Sequence, residues 1–233
     1  MAVKRRDVAT LRRELDARAS AGFDVRWLDA DDLRSRWGLV GLAAIESTAA
    51  ASVDPYQLSY QAIATVEHRG GRVFDRTEVT AYDQSPRRVR LSTNRGYTVT
   101  APHAVIATGY EVERLLPDQP FILNSSFALV SEPIAGLDTT YPDGLLFWDH
   151  DDPYLYGRTT DDGRLLVGGK DESYRDPLRR RRALPSKTRS LAAAVPRRFP
   201  GVGEIEVAIS WCGTFAETPD GLAYIGAHST FPR

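Results

Sequence analysis

Between Phe127 and Glu217 five segments rich in β-branched, aromatic and glycine residues follow one another at short intervals: FALVSEP, GLLFWDH, YLYGRTT, RLLVGG and IEVAISWCGTFAE. Their close spacing predicts one large, mostly antiparallel sheet, because parallel strands need long crossovers between them. A single long insertion, LRRRRALPSKTRSLAAAVPRRF, predicts a helix laid on that sheet, broken near Pro185 and ended by Pro196. Its run Arg179 to Arg182 reads as a solvated face, since no stacking aromatics are interleaved with it.

The first half has different grammar. Val8, Leu11, Leu15 and Ala19 form one apolar stripe of a helix from Asp7 to Ala21. Phe23, Val25 and Trp27 alternate as in a short strand, and Asp29 to Asp31 cap a second helix that runs to Gly38. A third helix opens with Asp54 as its cap and Pro55 at its first position, and closes at Gly70 and Gly71. RVFDRTEVTAYD, RRVRLSTN and GYTVTAPHAVIATG then predict three or four strands in a small meander, with turns at Gln84 to Pro86 and Asn94 to Gly96. Within the last of them Val105, Ile106 and Ala107 read as a buried strand that ends at Thr108 and Gly109, where a backbone without a Cβ is required. Such an ending either faces a ligand or simply closes a strand.

With 30 Lys plus Arg against 31 Asp plus Glu in 233 residues, the net charge of -1 offers no general attraction for nucleic acid or anionic lipid. The one cysteine, Cys212, excludes an internal disulfide and a cysteine-built zinc cage; beside Trp211 it reads as packing. The charged N-terminus does not resemble a signal peptide, and no stretch approaches the roughly 18 apolar residues of a membrane span. A cytoplasmic protein is the simplest expectation. No G-x-S-x-G elbow, P-loop or H-E-x-x-H occurs. Asp149, His150, Asp151 and Asp152, directly before Pro153, read as a polar turn rather than a metal site, and His68 and His103 stand at a helix end and a strand entry. No catalytic residue is assigned.

The order of motifs says more than any one of them. A helix opening at VDP, then GGRVFDRTEV, a meander, HAVIATG, a large sheet with YLYGRTTDDGRLLVGGKD, and finally WCGTFAETPDGLAYIG follow in a distinctive sequence. In this the chain resembles the D-amino-acid oxidase superfamily of FAD-dependent oxidoreductases, the group that includes glycine and sarcosine oxidases, from Gly22 to Gly226. The resemblance implies an α/β (α+β) fold: part of a Rossmann-like FAD-binding domain with a β-meander, plus a substrate domain on the antiparallel sheet. It divides the chain into a partial FAD domain over 1–116, the substrate domain over 117–217, and a return to the FAD domain over 218–233. It also implies that Val79 meets the adenine end of FAD through its backbone and that Thr108 and Gly109 approach the dinucleotide. Tyr154, Tyr156 and Arg158, with Trp211 and Phe215, are the implied substrate-side residues, although alternating tyrosines are also ordinary sheet surface. The chemistry implied is oxidation of a C–N bond in a small amine or amino acid, with hydride passing to the flavin and no protein acid or base strictly required.

Three departures qualify the resemblance. The family's G-x-G-x-x-G turn for the FAD pyrophosphate occurs nowhere, since GLVGLAA and GRLLVGG lack its spacing. The family continues beyond DGLAYIG with a glycine-rich strand and a helix, whereas the sequence stops at Arg233, so the expectation is the central portion of a longer enzyme. Where relatives carry an arginine for the substrate carboxylate this chain has Phe215, and Ala223 replaces a usual proline; Arg158 is the alternative source of charge. Exposure of Val105 and Ile106 would cost about 1.5 to 3 kcal/mol each and leave a sheet edge open to self-association or to a complementing N-terminal polypeptide. Two functional classes follow: a flavin-dependent oxidoreductase, or a non-catalytic binding domain that does not retain FAD. A hydrolase using Asp149 to Asp152 is a third.

Overall fold

The computed structural model describes residues 1–85, 87–116, 121–141 and 144–228. They form two compact units, one of residues 1–52 with 123–217 and one of residues 53–122 with 218–233. The first 52 residues therefore pack with the large sheet, where the sequence grouped them with the flavin segment. Residues 117–120 and 229–233, which the sequence placed at the domain junction and in the terminal return, lie outside the described residues.

In the larger unit, α1 (Arg5–Ser20) half-buries Val8, Leu11 and Leu15, the predicted stripe, while Ala19 is exposed. Strand β1 (Val25–Asp29) leads directly into α2 (Ala30–Trp37). The Asp29 carboxylate accepts from the Asp31 and Asp32 amides at 2.9 Å each, and Asp32 answers the Asp29 amide in a capping box. Strand β2 (Ala43–Ser47) pairs antiparallel with β1, from Val25 opposite Ser47 to Asp29 opposite Ala43.

The smaller unit opens with α3 (Pro55–His68), capped by Asp54, whose carboxylate accepts from the Tyr56 and Gln57 amides at 2.9 and 3.1 Å. None of its residues is buried; Leu58, Ile63 and Val66 are exposed. Strands β3 (Val79–Ser85), β4 (Arg88–Thr93) and β5 (Thr98–Ala101) form the expected antiparallel meander around Val89. Two expectations fail here. Residues 72–78 precede the first strand instead of belonging to it, and residues 103–108 form no strand, with Val105 92% exposed. A β-branched run becomes a strand only where a neighbour accepts its backbone hydrogen bonds, and no described strand pairs with this one. The need for glycine at its end holds, because Gly109 has φ +61 and starts a single 3-10 helix, Gly109–Arg114. The predicted turn at Pro86 lies outside the described residues.

The chain returns to the larger unit with β6 (Ile122–Ser131), the short helix α4 (Leu137–Thr140), β7 (Leu146–Trp148), β8 (Leu155–Thr159), β9 (Leu165–Glu172), α5 (Pro177–Ala192), the short helix α6 (Val195–Arg198) and β10 (Val207–Glu217). The sheet order is β10-β6-β9-β8-β7, with β6/β9, β9/β8 and β8/β7 antiparallel. Phe127, Leu129, Leu155, Leu165 and Val167 turn inward at alternate positions and meet Leu191, Val195 and Phe199. Phe147 and Phe199 close that core edge to face, with centroids 5.0 Å apart. The predicted break at Pro185 does not occur: α5 runs through it. Pro185 and Arg181 are both exposed, so water can solvate the Arg181 carbonyl that proline leaves without a donor, while Leu191 anchors the helix in the core. The arginine run is not wholly solvated either, since Arg179 stacks on Tyr174 at 4.1 Å and Arg180 donates to Thr214 Oγ1 on β10.

Candidate functional site

One irregularity in the sheet shapes the site. Phe127 lies opposite Gly169, yet Ser125 lies opposite Glu172, so β9 carries one residue more than β6 over this interval. The bulge falls on Gly169 and Lys170, with φ +128 and +59. Any side chain at 169 would strike the Tyr154 carbonyl, which explains the glycine; Lys170 holds a left-handed conformation that a non-glycine residue rarely adopts. The extra residue shifts the alternation downstream and brings Asp171 into a small cavity of about 190 Å³, together with Asn124, Tyr154, Phe215 and Glu217.

Two of the predicted substrate-side residues thus share one cavity, Tyr154 from the start of β8 and Phe215 from β10. Tyr156 supports them: its ring stacks on Tyr154 with centroids 5.9 Å apart and lies where a side chain at Gly168 would have to be. Burial raises the Tyr154 hydroxyl pKa well above its ordinary value, and the Asp171 carboxylate pushes it further. Asp171 is the hydroxyl's partner both by hydrogen bonding and by charge. The other two predicted residues stand apart. Arg158 lines a second, larger cavity of about 820 Å³ with Trp37, Glu46 and His150, and donates to the Thr159 carbonyl at 3.2 Å. Trp211 is exposed on β10 and lines neither cavity. A charge from Arg158 therefore does not reach the cavity of Phe215.

Asn124, Asp171 and Glu217 were not singled out by the sequence. The signal available was VGGKDE, in which two glycines before a charged triplet permit a bulge.

The acidic turn after β7 is tied into the fold by its own carboxylates. Asp149 accepts from the Leu155 amide at 2.8 Å and from Arg198 Nε at 3.0 Å, and Asp151 pairs with Lys4. Lys4 holds the Asp151 carboxyl below its usual range. Among the described residues no group of three His, Cys, Asp or Glu side chains is arranged to hold a metal ion.

Val79, Thr108 and Gly109 all belong to the smaller unit and all are exposed or half-buried rather than packed in a core. At Gly109 an added side chain would meet nothing within 4 Å, so the backbone there is open to close approach by a ligand. Neither described cavity is lined by any of the three. They do not include a glycine turn that could cradle a pyrophosphate.

The fold, with a five-stranded sheet in the larger unit and a three-stranded meander in the smaller, recurs in solved structures. It superposes on a glycine oxidase from Geobacillus kaustophilus with a TM-score of 0.78 at 18% identity, covering 99% of this chain and 61% of that one. It superposes on an L-proline dehydrogenase from P. horikoshii with a TM-score of 0.82 at 16% identity, covering 100% and 63%. In sequence it is 26% identical over 219 residues to the glycine oxidase of Bacillus licheniformis, covering 88% of this chain and 54% of that protein. The model of the FAD-dependent oxidoreductase family, DAO, matches residues 1–233, and the chain belongs to that family. It spans about half the length of the curated relative it matches.

Proposed function

We propose that the protein acts as a FAD-dependent oxidoreductase that oxidises a C–N bond of an amine or amino acid. The observation that carries this reading is the family match from residue 1 to residue 233, supported by the glycine oxidase and proline dehydrogenase folds. When bound, FAD supplies the acceptor for a hydride from the carbon beside the nitrogen. The adenine end would be met by Val79, and the dinucleotide would pass the open backbone at Thr108 and Gly109. On the sheet, Tyr154 and Phe215 would hold the substrate, with Tyr156 keeping Tyr154 in place. The raised pKa keeps the Tyr154 hydroxyl protonated at neutral pH, so it can donate to a substrate but cannot serve as a base.

The location is proposed to be cytoplasmic, in keeping with one free cysteine; no described helix is long and apolar enough to cross a membrane. Self-association or a complementing polypeptide would cover the exposed Leu58, Ile63, Val66 and Val105. A second reading, a binding domain that does not retain FAD, is favoured by one observation: the sequence contains no G-x-G-x-x-G turn. A visible spectrum of the purified chain after incubation with FAD and removal of free flavin separates the two. Retained flavin bands that bleach on anaerobic addition of an amine or amino acid support the oxidoreductase; a folded, colourless chain supports the binding domain.

A further inference from the structure

The bulge in β9 is held by a side chain from α5. Lys187 crosses the ring of Phe127, its Nζ 5.3 Å from the ring centroid, and then donates to the Lys170 carbonyl at 2.8 Å and to the Glu172 carboxylate. Those two residues flank Asp171. The Lys187 side chain is only 19% exposed, so most of its hydration has been exchanged for these two bonds. Burying an ammonium group costs free energy that its partners roughly return, and an apolar side chain of the same length would fill the space over Phe127 as well. What the apolar side chain could not do is hold the Lys170 carbonyl in place.

That carbonyl belongs to the strained residue. Lys170 has φ +59, a conformation that a side chain makes unfavourable and that persists only where its surroundings enforce it. Here both ends of the residue are tied: its amide donates to the Tyr154 carbonyl at 3.3 Å, and its carbonyl accepts from Lys187. If the bulge relaxed into regular pairing, the alternation beyond it would shift by one residue and Asp171 would turn to the opposite face of the sheet. With the bulge in place, Asp171 is the partner of the Tyr154 hydroxyl in the cavity that Phe215 also lines.

We propose that Lys187 is a positioning residue for the cavity of Tyr154 and Phe215: by binding the Lys170 carbonyl and the Glu172 carboxylate it locks the β9 bulge, and the locked bulge aims Asp171 at the Tyr154 hydroxyl. Its part in catalysis rests on the oxidoreductase function proposed above, in which that hydroxyl donates to the substrate; the lock itself does not.

The test is fluorine NMR of the purified chain labelled with meta-fluorotyrosine at neutral pH, with the Tyr154 resonance assigned by its loss in Tyr154→Phe. Asp171→Asn shows where that resonance lies once the carboxylate is gone. Lys187→Met, which keeps the contact with Phe127 and loses the donor, is expected to move the resonance most of the way to that position. Lys187→Arg, which keeps charge and donors, is expected to leave it in place. Leu191→Ala, a cavity in the same helix, is expected to lower the urea midpoint without moving it, so loss of stability alone does not mimic the effect. If Lys187→Met does not fold by circular dichroism, Lys187→Gln replaces it, with a smaller movement expected. A folded Lys187→Met or Lys187→Gln whose Tyr154 resonance stays put overturns the proposal, as does an equal movement in Leu191→Ala. A visible spectrum of the same preparations separates this outcome from failure of the oxidoreductase function. A flavin-bearing chain with an unmoved resonance sinks only the lock; a colourless chain in which Lys187→Met moves it supports the lock and sinks the flavin chemistry.

Discussion

The carboxylate of Asp149, fully buried, receives Arg198 through both Nε and Nη2, each at 3.0 Å, and so ties the turn after β7 to the end of α6. The same carboxylate accepts the Leu155 amide at 2.8 Å and thereby sets where β8 begins.

Removing the charge at this junction leaves the largely buried guanidinium with only its longer pair to Asp151, at 3.6 Å. Asp149→Asn is expected to cost about 2 to 3 kcal/mol, less than the ~3 to 5 kcal/mol of a buried charge left with no partner. Urea unfolding of the two proteins checks this; a loss under about 1 kcal/mol would show that the pair is effectively solvated.

Asp151 offers a pH-dependent test. Its folded pKa is depressed, first by the hydrogen bond from Lys4 and then by backbone and charge contacts that outweigh burial. A carboxyl depressed by folding stabilises the native state above its unfolded pKa, and that stabilisation disappears as pH falls through the folded value. The stability gap between the unaltered chain and Asp151→Asn should therefore be present at pH 7 and shrink as pH drops below the ordinary carboxylate value of about 4. It should also narrow in high salt, because the pair is partly exposed. A gap that does not change with pH would show that the contact is not ionic.

Gly168 is the seat of the Tyr156 ring, and a methyl group there would overlap it. Gly168→Ala should destabilise the chain by about 1 to 3 kcal/mol through overpacking. Urea unfolding of the two proteins checks this; an unchanged midpoint would show that the Tyr156 ring moves aside freely.

Gly109 permits a complementary experiment. Its φ of +61 disfavours any side chain, yet the space around it is open. Gly109→Ala is expected to lower stability by only about 1 kcal/mol. If the dinucleotide passes this backbone, flavin retention should fall much more than stability does. Equal flavin content in the two proteins would place the cofactor elsewhere.

Local chemistry made much of the fold legible. The caps at Asp29 and Asp54, the glycine stop at Gly38, the meander and the closely spaced strands of the large sheet are each fixed by residues a few positions apart. HAVIATG was misread for the same reason in reverse: its composition suits a strand, but a strand exists only with a neighbour, and Val105 has none among the described residues. Pro185 was misread because a break depends on whether solvent and packing tolerate a lost hydrogen bond, which its own identity does not reveal.

The candidate site divides along the same line. The order of motifs brought out the family, and the resemblance then pointed to Tyr154 and Phe215. That Tyr154 and Phe215 share a cavity while Arg158 lies in another was decided by strand register, and a shift of one residue at Lys170 turned Asp171 toward the aromatic rings. Composition and spacing set which segments can be helices and strands; strand pairing in three dimensions sets which side chains face one another, because sheet alternation is reset wherever a bulge adds a residue.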